Sequence, residues 1–324
     1  VKVVARGETT VVDAYLNPVL RQYLSELESA LPGSEILLMT SSGGLTSVDQ
    51  FRGSQSVLSG PAGGVVGFSR VAEAAGFEGA IGFDLGGTST DVARYRGKFE
   101  FEFESQKAGV RIMAPTLAID TVAAGGGSVC RFDGVKLCVG PESAGADPGP
   151  ACYGAGGPLA VTDLNFFLGR LPEDRFPFPL DHGAVQQRLK ALADEVAEAG
   201  EQIALPELAE GLLRIANANM AGAIRQVSVA QGADPGEYVL AAFGGAAGQH
   251  ACAVARELGM RSILIHPDAG VLSARGLSIA DVVRDNVEGV YQRVDQLAPA
   301  QIDALLDKLA APAWKELVDA GIDA

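Results

Sequence analysis

The sequence predicts an α/β protein built on a mixed sheet. Three observations carry this. Short apolar runs feed directly into helical patterns, as in "EYVLAAFGG" followed by "AAGQHACAVARELG". The stretch "GAIGFDLGGTSTDVARY" reads as two β-prone segments joined by a Gly-Gly turn. Long amphipathic stretches such as "ELAEGLLRIANANMAGAIRQV" supply helices to cover the sheet. A parallel strand–helix–strand pattern beside a hairpin gives a sheet of both senses.

Taken in order, "NPVLRQYLSELESALPG" predicts a first helix, with Asn17 as N-cap and Pro18 in the first helical position. "EILLMTSSGG" predicts a short buried strand ending in a glycine turn. "LSGPAGGVVGFSRVAEAAG" predicts a helix capped by Ser59 or Gly60 and closed by Gly76, and Ala62, Gly63, Gly64 and Gly67 allow close backbone packing. The Gly-Gly hairpin follows, and the alternation in "KFEFEFE" predicts that the meander continues as further antiparallel strands. Residues 125–160, dense in Gly and Pro, are expected as long loops. Asp181 caps a helix starting at His182, and Pro206 opens another. "SILIHP" is a strand, "VLSARGLSIADVV" a small-residue helix or turn, and the tail from Pro299 an amphipathic helix ending at "DAGIDA" without a cap. These readings divide the chain into a helix–strand–helix segment (1–78), a hairpin subdomain with long loops (79–180), a helical and α/β part (181–290) and a helical tail (291–324).

Composition narrows the function. With 324 residues, 48% hydrophobic and 20% charged, the chain is long enough for two lobes and ordinary for a globular protein. A net charge of −15 argues against nucleic-acid and anionic-membrane partners, which require a basic surface. No apolar run is long enough to span a bilayer, and "VKVVARGETT" has no signal-peptide core, so the expected compartment is the cytoplasm. The cysteines at 130, 138, 152 and 252 form no C-x-x-C pair and are expected as buried free thiols.

The chemistry concentrates in "GFDLGGTSTDV", residues 82–92. It lacks the lysine of a P-loop, and its glycines are adjacent rather than spaced as in a dinucleotide fingerprint. A strand–turn–strand hairpin remains, whose bare turn can offer N–H groups to phosphate oxygens. Thr88, with Ser89 or Thr90, adds hydroxyl donors. Asp84 at the strand end would be repelled by phosphate unless a hydrated Mg²⁺ lay between them, for which one carboxylate suffices. A plain hairpin with a solvated Asp84 is the alternative. "LAAFGGAAGQHA" repeats the strand and Gly-Gly pattern but leads into a helix, whose N-terminus favours anions. Two such turns predict one nucleotide held between them across a cleft. His250 is read as a helix-packing or cap-contact residue, with a place in the pocket as the alternative, and Cys152, with no basic neighbour to activate it, as structural.

The pair "DLGGTSTDV" and "FGGAAGQHA" resembles the second phosphate motif and the adenosine motif of the actin-like ATPase superfamily, whose core is ribonuclease H-like. More narrowly, "SGPAGGVVG", "GFDLGGTSTDVARY", "TVAAGGGS", "VGPESAGADPGPACYGAGGP" with "VTDLNFFLGRL", and "FGGAAGQHACAVARELGM" resemble the hydantoinase/oxoprolinase family, covering the chain to about Val290. The resemblance implies ATP-driven hydrolysis of a cyclic amide, with 5-oxoproline opened to glutamate. A hydantoinase or ketone-carboxylase subunit shares that ATP chemistry. An ATP-switched actin-like module without catalysis is the reading from another class.

Carried over by position, the resemblance makes Asp84 the Mg²⁺ and catalytic carboxylate, with Asp91 either catalytic or bracing the turn. Gly86, Gly87, Thr88 and Ser89 would cradle the β- and γ-phosphates, and Gly244, Gly245, Ala246 and Gln249 would face the adenosine. Gly126, Gly127 and Ser128 would lie near substrate or in an interdomain turn, or else form a flexible linker. Family members carry a first phosphate loop of D-x-G-G-T-F-T-D type, which this sequence lacks, so the fold is expected to be incomplete at the N-terminal side and the chain alone inactive. The implied partners are that N-terminal domain, a hydantoinase B-type domain or subunit, and further copies of the full-length protein in a homo-oligomer.

Overall fold

A computed structural model describes residues 3–107 and 109–319. The centre is a five-stranded mixed sheet. The chain opens with α1 (Val3–Ala30), a small hairpin of β1 (Leu37–Met39) and β2 (Leu45–Ser47), and α2 (Ser59–Ala74). The hairpin β3 (Ala80–Leu85) and β4 (Thr90–Tyr95) follows. Short ribbons come next: β5 (Phe101–Glu102), β6 (Ser105–Lys107), β7 (Val110–Ile112) and β8 (Thr116–Leu117). Then come β9 (Ile119–Val122) and a second hairpin, β10 (Ser128–Phe132) and β11 (Leu137–Ser143). Helices α3 (Val161–Phe167), α4 (His182–Glu198) and α5 (Leu205–Val227) precede β12 (Val239–Phe243), α6 (Ala247–Glu257), β13 (Ile263–Leu264), α7 (Leu272–Ser278) and α8 (Pro299–Asp319).

The sheet order is β13-β12-β3-β4-β9. β12 runs parallel to both β13 and β3, whereas β3–β4 and β4–β9 are antiparallel. Strands from the 79–180 and 181–290 segments therefore share one sheet. Its central strands are buried on both faces because a core covers each. Ile81, Phe83, Leu85 and Leu240 pack with Leu208, Leu212, Met220 and Ile224 of α5 on one side. Ala80, Ala93, Tyr95, Ala241 and Phe243 pack with Val65, Val66 and Phe68 of α2 on the other. Each large side chain buried this way contributes about 1.5–3 kcal/mol, so the two helices clamp the sheet firmly.

Several local expectations change. Asn17 and Pro18 lie inside α1 rather than at its start. The Asn17 side chain accepts the Gly53 N–H at 2.8 Å and Asp13 accepts that of Ser54 at 2.7 Å, so tertiary bonds hold the helix through its proline. Ser59 and Gly60 are the first helical residues of α2, with Leu58 at the cap position. The meander after "KFEFEFE" does continue in antiparallel ribbons, but of that stretch only Phe101–Glu102 pairs, with β8, and Phe103 is 66% exposed. The 125–160 region holds the β10–β11 hairpin as well as loops. All four cysteines are free, but Cys138 is half-buried and Cys252 exposed. Asp181 does cap α4, accepting the Ala184 N–H at 2.9 Å. No described helix is long and apolar enough to cross a membrane. Most of "DAGIDA", at 320–324, lies outside the described residues.

Candidate active site

The two Gly-Gly turns sit side by side at one end of the sheet. Asp84 of β3 pairs with Phe243 of β12 in parallel register, so the chain leaves both strands at the same level. The Ala246 N–H donates to the Leu85 carbonyl at 3.0 Å, joining one bend to the other. The bends thus touch instead of facing each other across a gap, because their strands are immediate neighbours.

The first turn is closed by Gly86 N–H donating to Ser89 O at 3.1 Å. Gly87 and Thr88 are exposed, and their amides donate to no group among the described residues. Neither glycine is demanded by the fold. Both have ordinary φ, and a Cβ at Gly87 would meet nothing within 4 Å. A bare, unbonded backbone that the protein itself does not require is what close approach by a large anion needs. Gly244 differs: its φ is +86°, and a Cβ there would lie 2.4 Å from Asp84 Oδ1. Gly245 is exposed with open space above it, and Ala246 is the N-cap of α6, with Gln249 half-buried in its first turn.

Asp84 stands directly opposite Asp91 across the hairpin. Burial, and then the Asp91 charge, push the Asp84 carboxyl up to about 6, against the pull of a long hydrogen bond donated by Ser273 Oγ at 3.4 Å. Asp91 accepts from Thr121 Oγ1 of β9 at 2.6 Å, which braces it. Among the described residues no group of three or more His, Cys, Asp or Glu side chains could hold a metal. The Asp84–Asp91 pair is still suited to a hydrated divalent cation. A partly buried carboxylate facing a like charge is relieved by one, and Mg²⁺ keeps most of its waters. Ser273, far away in sequence, gave no local signal of its place here.

Gly126, Gly127 and Ser128 are buried beneath the first turn. Gly126 N–H donates to Gly86 O at 3.0 Å, and Gly127 N–H to Gly87 O at 2.6 Å. A Cβ at Gly125 would lie 2.6 Å from Gly87 O, so the two backbones touch. The segment is therefore a packed support, not a flexible linker. Behind it the fully buried Asp163 accepts the N–H groups of Ala151, Cys152 and Ala160 at 2.7–3.0 Å, organising the "DPGPACYGAGGP" loop. Burial, and then the neighbouring Asp163, raise the Cys152 thiol above its ordinary range, which disfavours the thiolate a nucleophile needs. Glu142, exposed, reaches Arg131 only at 3.9 Å.

His250 of α6 is buried, between Asn217 at 2.8 Å from Nδ1 and Asn165 at 3.1 Å from Nε2. Asn165 approaches through its amide nitrogen, so Nε2 accepts and the proton sits on Nδ1, donated to Asn217 Oδ1. Burial lowers its pKa from 6.5 to about 4. Its folded pKa is depressed, so its contribution is complete above pH 6.5 and is lost as pH falls through 4. We expect roughly 3 kcal/mol of pH-dependent destabilisation over that range. Urea unfolding at pH 7 and pH 4.5 should show a steeper loss in the wild type than in His250→Gln; equal losses would remove the imidazole from the account.

The hydantoinase/oxoprolinase family model matches residues 6–286. The chain belongs to the hydantoinase/oxoprolinase family. It is 41% identical to a 5-oxoprolinase of Dictyostelium discoideum over 99% of this chain and 28% of that protein. It is 45% identical to 5-oxoprolinase 1 of Arabidopsis thaliana over 89% of this chain and 24% of that one. The solved ATP-dependent caprolactamase of Pseudomonas jessenii superposes with a TM-score of 0.88 at 31% identity, over 100% of this chain and 48% of that one. A nucleotide-free acetone carboxylase gives 0.76 at 25% identity, over 94% and 45%. The hydantoinase/oxoprolinase chain described here thus spans about a quarter of these 5-oxoprolinases and about half of the two solved chains. Its fold is the actin-like ATPase α/β fold expected from the paired motifs.

Proposed function

We propose that this chain is the nucleotide-handling part of an ATP-dependent cyclic-amide hydrolase acting on 5-oxoproline. The observation that carries the reading is the pair of touching Gly-Gly turns, one with unbonded exposed amides, set around Asp84. Sequence identity is higher to the 5-oxoprolinases, at 41% and 45%, than to the caprolactamase subunit alpha, at 33%. That favours a five-membered lactam over a larger ring.

An amide resists water because resonance ties its carbonyl to its nitrogen. Attack of the amide oxygen on the γ-phosphorus of ATP, with release of ADP, gives an imidoyl phosphate. Water then adds to the activated carbon, the ring C–N bond breaks as its nitrogen takes a proton, and a second water hydrolyses the resulting acyl phosphate to a carboxylate and phosphate. In this reading the Gly87 and Thr88 amides, with the Thr88 and Ser89 hydroxyls, hold the β- and γ-phosphate oxygens. Asp84, backed by Asp91, would hold Mg²⁺ through water, and the ion would neutralise phosphate charge. Gly244, Gly245 and Ala246 give the adenosine a flat backbone floor, with Gln249 at its edge. Gly126, Gly127 and Ser128 act from behind, fixing the turn rather than touching substrate. A hydantoinase B-type domain or subunit would complete hydrolysis, in keeping with a relative named as a subunit alpha.

The test is stoichiometry. The full-length protein given 5-oxoproline and Mg-ATP should form ADP and glutamate one for one. ATP turnover indifferent to any lactam would replace this reading with an ATP-driven switch. Product from hydantoins alone would move the substrate.

A further inference from the structure

Helices α2 and α7 cross at a distance only glycine allows. A Cβ on Gly63 would lie 2.8 Å from the Ser273 carbonyl, one on Gly67 2.6 Å from that of Leu272, and one on Gly276 1.8 Å from that of Gly63. A Cβ on Gly64 would lie 3.1 Å from Ser273 Oγ itself. None of the four has positive φ, so contact, not backbone conformation, accounts for them. This is the "SGPAGGVVG" segment, to which the proposed chemistry gives no part.

The seam delivers Ser273 to Asp84. Ser273 Oγ lies 3.4 Å from Asp84 Oδ2, and it is the one hydrogen-bond donor to that carboxylate among the described residues. The other oxygen, Oδ1, faces the bare backbone of Gly244. The carboxylate is therefore flanked by a hydroxyl on one side and a glycine on the other. Its plane has no other side-chain hydrogen bond to fix it.

We infer that Ser273 is a positioning residue for Asp84, and that the Gly63, Gly64, Gly67 and Gly276 contact exists to bring its hydroxyl within reach. The inference rests on the role given to Asp84 under Proposed function. Removing the hydroxyl leaves Asp84 free to rotate, which degrades the reacting geometry without removing any group that touches the nucleotide.

The experiment compares Ser273→Ala, Ser273→Thr and Asp84→Asn in the full-length protein. It reads kcat, the KM for ATP and the melting temperature separately. Ser273→Ala is expected to lower kcat about tenfold or more, with KM for ATP changed less than about threefold and melting unchanged within a few degrees. Ser273→Thr, which keeps the hydroxyl, is expected to recover most of the loss. In the Asp84→Asn background, Ser273→Ala should cost nothing further, because the two act as a unit. Wild-type kcat in Ser273→Ala overturns the inference. So does a fall in kcat that tracks a fall in melting temperature, or failure of threonine to rescue. If Asp84→Asn is inactive while Ser273→Ala is not, only this inference falls; if Asp84→Asn is active, the role of Asp84 falls and this inference with it.

Discussion

Asp84→Asn in the full-length protein is expected to reduce turnover by about a thousandfold, the scale of losing a key electrostatic group, while making the fold more stable. The two halves have one cause. Asp84 is partly buried opposite Asp91, and its pKa rises from 3.8 to about 6. A folded pKa above the unfolded one means the folded state holds the proton more tightly. The stabilising contribution is complete below pH 3.8 and is lost as pH rises through about 6. At pH 7.5 the ionised carboxylate therefore costs about 2 kcal/mol after allowance for partial exposure. Asparagine keeps the shape and removes the charge. Denaturant melts without nucleotide should show Asp84→Asn more stable than the wild type at pH 7.5, with the gap closing towards pH 4. A variant that is inactive because it is less stable would contradict this account, as would near-normal turnover.

Gly244→Ala should be the most damaging single methyl in the site, and its neighbour Gly245→Ala the control. Gly244 has φ +86°, and a Cβ there meets Asp84 Oδ1 at 2.4 Å and the Leu85 carbonyl at 2.6 Å. Left-handed strain and a double clash with backbone and carboxylate together are expected to cost about 3 kcal/mol or more. The clash also pushes the two turns apart, so activity falls with stability. At Gly245 the same methyl meets nothing within 4 Å. Gly245→Ala should leave the melting temperature within a degree or two and act only on nucleotide affinity, read by calorimetric titration of ATP. Equal destabilisation of the two variants would mean that the turns are not in the contact described.

The hairpin around Asp84 was legible because its signals are local. A buried apolar run, two adjacent glycines and a run of β-prone residues each fix their own piece of backbone. The strand-to-helix turn at Gly244 was legible for the same reason. What escaped depends on the chain's distant parts. Pro18 reads as a helix start because proline suits a first turn, yet hydrogen bonds from Gly53 and Ser54 carry α1 through it. The Phe/Glu alternation at 99–104 has the period of a strand, but no second layer covers Phe103. Ser273 reaches Asp84 across 189 residues of sequence, and nothing near it distinguishes it from any other helical serine. The fate of the glycines at 125–127 depended on what they pack against, and that was the other glycine turn.

That last contact has a thermodynamic corollary. Gly126 and Gly127 tie the Gly86–Gly87 carbonyls to Thr162 of α3 and Ala144 beyond β11 through a continuous run of main-chain bonds. The turn therefore arrives already stiff, and an incoming triphosphate spends little of its binding free energy on freezing it. Deuterium uptake at the bonded Gly86, Gly126 and Gly127 amides should be slow before any ligand is added, while the exposed, unbonded Gly87 and Thr88 amides should exchange quickly until nucleotide covers them.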